Sequence, residues 1–304
     1  MRIIITGATG FIGRALTREL AGAGYEVVVL SRNPKTGKGV FENQVSAVRW
    51  DGKSGEGWTA YADGAHAVIN LAGENIASGR WTKKRKRTIL ESRLNAGKAI
   101  VEAVKQAHQK PKVVIQASGI GYYGSGSDEI LDESSPPGSG FLPEVATQWE
   151  SSSKEVEALG VRHVVIRTGI VLGMDGGALP RLVRPFRFFV GGPLGSGKQW
   201  FSWIHLSDEV KAIRLLMEKE DLHGVFNLTS PGALQQKDFC RVLGKAMRRP
   251  SWLPLPGFLM RLLMGEMAEE LLLSGQRVIP TRLLEAGYEF QYPEAGSALQ
   301  EILG

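Results

Sequence analysis

The chain has 304 residues, of which 43% are apolar and 22% are charged. This is an ordinary composition for a globular protein, and it is long enough to bury a core in one large domain with or without a smaller lobe. No stretch reaches the roughly 18 consecutive apolar residues of a membrane span, so we expect no membrane partner. MRIIITG leads straight into a strand, which leaves no room for a signal peptide. The lone Cys240 cannot form an internal disulfide, which favours a cytoplasmic protein.

The net charge of +6 is concentrated in one stretch. Residues 80–98 contain eight Lys or Arg and one Glu, so the rest of the chain is near neutral. Such a run is either an anion-binding or nucleic-acid-binding patch or the solvated first half of a helix. Because no aromatic residues are interleaved in the manner of RNA-binding surfaces, we expect no nucleic-acid partner.

The first part of the chain alternates strand and helix patterns. A buried strand at 2–6 precedes a glycine turn and an amphipathic helix, and a long polar helix is predicted at 82–108. Further strands are predicted at 25–32, 46–51, 66–73, 112–119 and 161–173, with another helix carrying TQWESSSKEVE at 147–157. This alternation predicts an α/β fold, a Rossmann-type doubly wound parallel sheet.

Beyond residue 175 the pattern changes to clustered glycines, prolines and aromatics, with one more strand at 225–230. We therefore predict an NADP-binding Rossmann domain of residues 1–175 plus 200–230. Residues 176–199 plus 231–304 form a smaller C-terminal substrate-binding lobe over the carboxyl edge of the sheet, where open α/β sheets bind ligands.

The first strand ends in GATGFIG, which places Gly7, Gly10 and Gly13 at a strand-to-helix turn. A helix start presents free N–H groups to a pyrophosphate, and glycines let the backbone approach it closely. The motif lies between a strand and an amphipathic helix, which is the context that dinucleotide binding requires. Thr9, Phe11 and Ile12 of this turn are predicted to contact the cofactor as well.

The end of the second strand indicates which dinucleotide binds. NAD sites usually carry an acidic residue there, but this chain has Ser31 and Arg32. A guanidinium beside a hydroxyl suits a 2′-phosphate, so we predict NADP(H) as the cofactor. The alternative is that Arg32 merely caps a loop.

Several motifs in this order resemble the extended short-chain dehydrogenases/reductases. They are GATGFIG, NLAG at 70–73, ASGIGYYG at 117–124, Lys154, RTGIVLG at 167–173 and WIHLSDEV at 203–210. NLAGENI, GGALP, GSGKQWFSWIH and GQRVIPTRLLEAGYEF more narrowly resemble the atypical branch of epimerase family (sugar-nucleotide epimerase-like) proteins. The resemblance covers essentially the whole chain.

That resemblance implies further cofactor contacts. Asp51 would meet the adenine amino group, and Lys154 would hold the nicotinamide ribose hydroxyls. Leu71, Ala72 and Gly73 would pass along the cofactor, while Ser118 and Arg167 would line the nicotinamide.

Typical members of that superfamily place a tyrosine four residues before the lysine, where it exchanges a proton with the substrate. Here Glu150 occupies that position, Gly119 stands where a Ser or Thr is usual with Ser118 one residue earlier, and Arg93 replaces a helix asparagine. The ordinary proton-transfer residues are therefore missing. Glu150 and Lys154 are spaced for an ordinary helical ion pair instead.

Three functions remain open. In the first, the chain is an NADP-dependent oxidoreductase in which Tyr122, Tyr123 or Glu150 supplies the proton, with Lys154 and Ser118 as the other candidate catalytic groups. In the second, it is a nucleotide-sugar epimerase-like enzyme, which needs a base as well as a hydride carrier. In the third, it binds NADP(H) without turnover as a redox-sensing or regulatory protein, and both tyrosines are structural.

The substrate is predicted to be a small molecule, anionic or sugar-like. Arg80, Lys83 and the helical row Arg181, Arg184 and Arg187 are candidate clamps for a phosphate or carboxylate, although each also fits a solvated helix face. His205, which follows the tryptophans Trp200 and Trp203 in QWFSWIH, is a weaker candidate. No Cys/His/Asp cluster has metal-ligand spacing, so no metal is expected. Both a monomer and a homodimer fit the sequence.

Overall fold

The computed structural model describes residues 1–34, 45–125 and 128–304. Its centre is a parallel sheet of seven strands in the order β11-β7-β5-β4-β1-β2-β3. These strands are β1 (Arg2–Thr6), β2 (Glu26–Ser31), β3 (Val45–Arg49), β4 (Ala67–Asn70), β5 (Val113–Gly119), β7 (Arg162–Thr168) and β11 (Gly224–Leu228). β2 and β3 are added on one side of β1, and β4, β5, β7 and β11 on the other, so the strand order reverses between β1 and β4. Such a switch point is where sheets of this kind bind ligands. The predicted α/β Rossmann-type sheet is confirmed.

Helices cover both faces of the sheet and build the C-terminal part. They are α1 (Phe11–Gly22), α2 (Thr59–Ala62), α3 (Lys83–Gln106), α4 (Phe141–Ser151), α5 (Leu179–Arg187), α6 (Leu206–Glu218), α7 (Gln236–Met247), α8 (Gly257–Met264), α9 (Glu266–Ala268), α10 (Thr281–Glu285) and α11 (Ala295–Leu303). Single 3₁₀ turns lie at Ile120–Tyr123 and Lys154–Leu159, and a π turn at Glu269–Leu273. Within the described residues, no helix is long and apolar enough to cross a lipid bilayer.

The central strands are continuous apolar runs because both of their faces are covered. In β1, Ile3 and Ile5 pack on the side of α1 and α6, while Ile4 packs on the side of α3. All three side chains are fully buried. Removing any one of them to alanine would cost about 2–5 kcal/mol.

The run VRHVVIRTGIVLG was predicted as one strand, but the structure divides it at Gly169. Residues before the glycine belong to β7, and Ile170–Leu172 forms β8, which pairs with β10 (Trp203–His205) outside the main sheet. A Cβ at Gly169 would lie 2.9 Å from the Ser202 carbonyl oxygen, so a glycine is needed where the chain leaves the sheet. The sequence contains the glycine, but its pattern does not indicate that the chain leaves the main sheet there.

A separate core holds the C-terminal part together. Phe186 of α5 and Phe239 of α7 pack there with Phe201 and Trp203, and α11 closes the cluster. The predicted strand at 225–230 lies elsewhere, as β11 at the sheet edge beside β7. Phe201 and Trp203 therefore pack with the C-terminal core, although the prediction grouped residues 200–230 with the Rossmann domain.

Four short strands complete the structure. β6 (Ile130–Leu131) pairs with β13 (Arg277–Val278), which ties the loop after β5 to the C-terminal segment. β9 (Trp200–Phe201) pairs with β12 (Leu234–Gln235). Through these pairings the C-terminal segment reaches the carboxyl edge of the sheet next to β5 and β11.

Candidate functional site

The turn after β1 has no room for side chains. Gly7 has φ +68°, and a Cβ there would lie 2.6 Å from the Leu71 carbonyl oxygen at the end of β4. A Cβ at Gly13 would lie 2.3 Å from the Gly7 carbonyl oxygen. Glycine is thus required at both positions, by backbone geometry at the first and by helix–turn packing at the second. Gly10 N–H bonds the Gly7 carbonyl at 2.9 Å and closes the turn.

The start of α1 is open to a ligand. Gly10 is its N-cap and supplies no side-chain acceptor for the first amides of the helix. Those amides and the helix dipole favour a bound anion such as a pyrophosphate. Thr9 is exposed, whereas Phe11 and Ile12 are half-buried. The Phe11 ring packs on the loop at Gly173 and Gly176, where any Cβ would come within 3 Å of it.

The residues predicted for the adenine end of the site lie at the ends of β2 and β3. Arg32 is exposed at the end of β2, and the Ser31 hydroxyl accepts a hydrogen bond from the Asn33 amide at 3.2 Å. Asp51, just beyond β3, accepts bonds from the amides of Lys53 and Ser54, and these bonds lower the pKa of its carboxyl. All three predicted residues thus lie at the carboxyl ends of neighbouring strands.

The end of β4 is held by a buried polar chain. The Thr6 hydroxyl donates to Asn70 at 2.6 Å, and Asn70 donates to Gln116 on β5 at 2.9 Å. The Ala72 amide donates to both Thr6 and Asn70, and the Leu71 amide donates to the Thr6 carbonyl at 3.2 Å. These bonds fix two of the predicted cofactor contacts, Leu71 and Ala72, and Gly73 follows them. This series of hydrogen bonds continues to Ser153, whose hydroxyl donates to Gln116 at 2.9 Å.

Glu150 forms the centre of the site at β5 and β7. Its two carboxylate oxygens accept from Nε and Nη2 of Arg167 at 2.8 and 2.9 Å. The Ser118 hydroxyl donates to the same carboxylate at 2.7 Å. Both charged side chains are largely buried, with 4% of Arg167 and 13% of Glu150 exposed. Burial alone would lower the pKa of Arg167, but the hydrogen bonds and charge of Glu150 raise it above its ordinary value.

The alternative of an ion pair between Glu150 and Lys154 on one helix face is wrong. Helix α4 ends at Ser151, and the chain tightens into the 3₁₀ turn that begins at Lys154. That change of helix type breaks the four-residue spacing on which the pair depended. Lys154 is exposed, and the carboxylate is taken by Arg167.

The two tyrosines of GYYG differ in their surroundings. Tyr123 is 5% exposed, and its hydroxyl donates to Asn227 on β11 at 2.7 Å and accepts from Arg167 at 3.1 Å. Burial raises the pKa of Tyr123 to about 12. Tyr122 is half-buried, and the Arg167 guanidinium carbon lies 3.3 Å from the centre of its ring. Tyr123 is thus bonded into the fold, and Tyr122 has a cation on its ring and partial access to solvent.

Arg93, at the position of the usual helix asparagine, is 8% exposed. It donates to the carbonyls of Glu74 and Ile89 and stacks on Trp149, with its guanidinium carbon 4.6 Å from the ring centre. Burial lowers its pKa to about 10, which still leaves it charged at neutral pH. A Cβ at Gly73 would lie 3.0 Å from this guanidinium, so a buried cation stands beside the predicted cofactor path.

The basic stretch 80–98 is only partly a solvated helix face. Arg85 bonds Glu74 at 3.1 Å, and Lys86 bonds Glu266 of the C-terminal part at 2.6 Å. Lys83 is exposed. Arg80 lies close to Gly265, which brings it to the junction with the C-terminal part.

Arg181, Arg184 and Arg187 are exposed on α5, and Arg181 reaches the Ala77 carbonyl at 3.4 Å. His205 is 5% exposed and lines a crevice together with Met174 and Glu301. Its Nδ1 accepts from the Ser207 amide and caps α6, while Nε2 pairs with Glu301 at 2.9 Å.

The sequence interpretation missed Asn70, Gln116 and Asn227. Each is a polar residue within an otherwise mainly apolar strand, and each is fully buried and hydrogen-bonded. That pattern was a usable signal, because buried amides must find partners. Among the described residues, no group of three or more His, Cys, Asp or Glu side chains is placed to hold a metal ion.

Comparison with known families agrees with this geometry. Residues 3–229 match the NAD dependent epimerase/dehydratase family. Residues 255–302 match a domain of unknown function, DUF1731. The first match spans the whole sheet, and the second lies within the C-terminal part.

Similar proteins cover the full chain. Epimerase family protein SDR39U1 of Homo sapiens is 36% identical over 306 residues, 100% of each chain. The SDR39U1 homolog of Arabidopsis thaliana, described as chloroplastic, is 38% identical over 305 residues, 100% of this chain and 87% of its own length. Epimerase family protein YfhF of Bacillus subtilis is 37% identical over 306 residues, 100% of this chain and 98% of its own.

Solved structures give the same result. The human SDR39U1 crystal structure with NADPH has a TM-score of 0.88 at 35% identity and covers 99% of both chains. A nucleoside-diphosphate sugar epimerase from Corynebacterium glutamicum has a TM-score of 0.79 at 30% identity and covers 100% of this chain but 58% of its own. The prediction of NADP(H) agrees with the NADPH in the human protein. By its fold, its glycine turn and its match over residues 3–229, the chain belongs to the NAD dependent epimerase/dehydratase family.

Proposed function

We propose that this protein binds NADPH along the carboxyl ends of β1, β2 and β4 and acts as an oxidoreductase on a small carbonyl or hydroxyl compound. The glycine turn leaves space for a pyrophosphate at the start of α1. Arg32 and Ser31 offer a cation and a hydroxyl for the 2′-phosphate. The NADPH in the human relative supports this assignment.

One observation carries the catalytic part of the proposal. The Arg167 guanidinium lies 3.3 Å from the centre of the Tyr122 ring, in a site where the usual tyrosine is replaced by Glu150. A fixed cation against a phenol attracts the negative charge that develops as the hydroxyl gives up its proton. Tyr122 and Arg167 would thus do together what a tyrosine and a lysine do in typical members.

The other residues take supporting roles. NADPH, when bound, supplies the hydride. Ser118 must donate its proton to Glu150, because a carboxylate can only accept, so its lone pairs are left to orient a substrate hydroxyl. Glu150 holds Arg167 in place through two hydrogen bonds. Lys154 as a ribose contact stays part of the proposal.

We place the substrate between the sheet edge and the C-terminal lobe, following the proposed division of the chain at residues 175, 200 and 230. Arg80 and Arg181 lie where this lobe meets the loop after β4, and they favour an anionic or sugar-phosphate substrate. A nucleoside diphosphate sugar belongs in any substrate panel, given the name of the Corynebacterium glutamicum protein. A monomer or homodimer in the cytoplasm remains our proposal.

A second function is favoured by a specific observation. Glu150 is hydrogen-bonded to Ser118 and Arg167, and Arg167 is also hydrogen-bonded to Tyr123. Among the described residues, this network therefore contains no aspartate, glutamate or lysine without a partner that could act as a base. A nicotinamide-dependent epimerase needs such a base to take the hydroxyl proton as the hydride leaves carbon, and to give it back to the oxygen when the hydride returns on the opposite face. The alternative to a reductase is therefore an NADP(H)-binding protein that does not turn over.

The cofactor part is tested by titrating the purified protein with NADPH and NADH while following nicotinamide fluorescence. Arg32→Asp should weaken NADPH binding about ten- to a hundredfold and leave NADH binding nearly unchanged, because only NADPH carries the 2′-phosphate. Lys98→Asp, an equal charge change on exposed α3, should have no such effect. Equal loss for both nucleotides in Arg32→Asp would refute the phosphate contact.

The catalytic part is tested with NADPH deuterated on one face of C4 and a panel of carbonyl compounds and nucleoside diphosphate sugars. Stereospecific label transfer, reduced by at least about a hundredfold in Tyr122→Phe, supports the reductase. Tyr123→Phe should affect thermal stability more than label transfer. Tight NADPH binding with no transfer to any compound would favour the binding protein.

A further inference from the structure

The C-terminal part carries an unusual exposed surface. Fourteen large apolar side chains are exposed among the described residues, and ten of them lie in three segments of this part. We call these ten the apolar patch: Phe188, Phe189, Val190, Trp252, Leu253, Leu255, Phe258, Leu259, Leu262 and Leu263. Soluble proteins rarely leave such a group uncovered unless it binds something.

The three segments are connected, so the patch is one surface. The Trp252 indole donates to the Phe189 carbonyl at 2.8 Å, and the Trp252 amide donates to the Gly191 carbonyl at 3.0 Å. Leu255 pairs with Leu194 in a parallel bridge. α8 begins two residues later, at Gly257.

α8 shows one face to solvent. Phe258 and Leu262 are each 69% exposed and stand four residues apart, with Leu259 and Leu263 beside them on the same side. Met260 faces inward at 3% exposure. This helix therefore presents leucine and phenylalanine outward, which reverses the usual arrangement of an amphipathic surface helix.

Phe189 has a left-handed backbone conformation, and its side chain is exposed to solvent. Its φ of +62° is rare for an aromatic residue, and it is 54% exposed. Arg249 stacks on this ring at 4.5 Å and Trp252 bonds its carbonyl. Strain that keeps an aromatic residue exposed points to a binding role.

Basic residues predominate around the patch, although Asp238 and Glu269 lie at its border and pair with Arg241 and Arg261. The stretches 176–207 and 239–265 contain nine Lys and Arg residues and no Asp or Glu. Among the described residues, ion pairs engage only Arg241 and Arg261 of these nine. Arg184, Arg187 and Arg248 are exposed. The patch thus combines tryptophan, phenylalanine and leucine with a basic surround.

We propose that the apolar patch docks this protein onto the surface of an anionic lipid bilayer. Phenylalanine, tryptophan and leucine beside arginines suit the boundary between headgroups and acyl chains. The tryptophan N–H is already satisfied by Phe189, so its ring can enter the interface without loss of a hydrogen bond. Each arginine near such a surface is attracted by the negative headgroups. The contact lies on the bilayer surface and requires no spanning helix.

Charge disfavours the other occupants. A second copy docked patch to patch would bring two unpaired arginine clusters together, and like charges at close range oppose association. An acidic polypeptide would satisfy the arginines but leave most of the ten apolar side chains without partners. An anionic bilayer matches both parts of the surface.

The test uses the full chain in vesicle flotation. Vesicles of phosphatidylcholine alone are compared with phosphatidylcholine mixed with phosphatidylglycerol, in low and high salt. Binding to the mixed vesicles, weakened by salt, supports the proposal. Phe258→Ser with Leu262→Ser should reduce the partition coefficient more than about tenfold. Arg184→Ser with Arg187→Ser, which removes two exposed cations, should reduce it roughly thirtyfold at low salt.

Matched variants guard against general effects. Leu284→Ser removes another exposed leucine outside the patch, and Lys83→Ser with Lys84→Ser removes two exposed cations from the basic start of α3. Both should bind vesicles like the unaltered protein. Circular dichroism and thermal unfolding of every variant should match the parent, because the altered side chains are on the surface.

Four results would overturn the proposal. They are no binding to either vesicle, equal binding to neutral and anionic vesicles, patch variants that bind like the parent, and loss of binding in the α3 variant. Light scattering extends the test to the other occupants. A concentration-dependent dimer abolished by Phe258→Ser with Leu262→Ser, without vesicle binding, would assign the patch to self-association, and retention on polyglutamate alone would assign it to an acidic protein.

Discussion

The two halves of the carboxyl edge of the sheet differ in what forms the site: backbone in one half and side chains in the other. At β1 and β4 the site is made of backbone, because Gly7 and Gly13 must be glycine for the turn to close. At β5 and β7 it is made of side chains, in which Glu150, Arg167 and Tyr123 bond one another. The backbone half keeps the glycine motif of dinucleotide-binding proteins. The side-chain half has Glu150 in place of the usual tyrosine.

This difference has a physical origin. A backbone turn has one geometry, so the sequence that permits it changes little without loss of the turn. A side-chain network can be exchanged for another as long as each buried group finds a partner. We therefore expect the backbone half, at β1 and β4, to tolerate no side chain at its glycines. We expect the network half, at β5 and β7, to tolerate the replacement of both members of a bonded pair but not of one alone.

Arg167→Met should have the largest effect on stability. It leaves the buried Glu150 carboxylate with Ser118 as its remaining hydrogen-bond donor, and breaking a buried ion pair from one side costs about 3–5 kcal/mol. Glu150→Leu together with Arg167→Met should recover much of this loss, since both charges are gone. Urea denaturation measures the free energy of unfolding of each variant.

The surface pair Arg87 and Glu91 is the matched control. It has the same charges at 2.7 Å, but the two side chains are 78% and 51% exposed. Arg87→Met should change the free energy of unfolding by about 0.5 kcal/mol or less. If Arg167→Met costs no more than Arg87→Met, the network does not hold this half of the site together.

Gly7→Ala tests the backbone half. The new Cβ would lie 2.6 Å from the Leu71 oxygen and would force an L-residue to φ +68°. We expect a loss of about 2–3 kcal/mol in stability from the strain and the contact together. NADPH binding should fall below detection, because the turn must widen where the pyrophosphate would lie.

Gly24→Ala separates strain from crowding. Gly24 also has a positive φ, +87°, but a Cβ there would meet nothing within 4 Å. It should cost about 1 kcal/mol and leave NADPH binding intact. An equal loss of NADPH binding in both variants would mean that the turn at Gly7 has no special part in binding.

The sequence predicted the backbone half well because its motif is local. Strand, glycine spacing and helix follow within residues 2–22, so pattern and structure have little room to differ. The prediction for Ser31 and Arg32 rests on equally local features, because Ser31 ends the buried strand β2 and Arg32 follows it.

The network half could not be predicted because its partners are distant in sequence. Glu150 and Arg167 are separated by 17 residues, and Tyr123 and Asn227 by 104. The spacing of Glu150 and Lys154 suggested a helical pair, but the chain leaves the α-helix at Ser152. Packing explains that break, because Ser152 lies against Gly97 of α3, where a Cβ would touch the serine side chain.

The pH dependence of stability should come from the network side. Glu209 bonds the Thr168 hydroxyl at the end of β7, and its side chain is fully buried. Burial raises its pKa from 4.5 to about 8. Between these values the folded protein keeps a proton that the unfolded chain has released. The free energy of unfolding should therefore fall as pH rises, by about 1.4 kcal/mol per pH unit, and level off above pH 8.

The range from pH 6.5 to 8 isolates this effect. Burial lowers the pKa of His163 from 6.5, so that group destabilises the fold only as pH falls below 6.5 and contributes the opposite slope there. Glu209→Gln should flatten the profile across the range, because no proton is left to release. Glu56→Gln, which alters an exposed carboxylate, should keep the slope. A slope unchanged in Glu209→Gln would mean that Glu209 is ionised in the folded protein, and the pH dependence would then have to arise from groups away from β7.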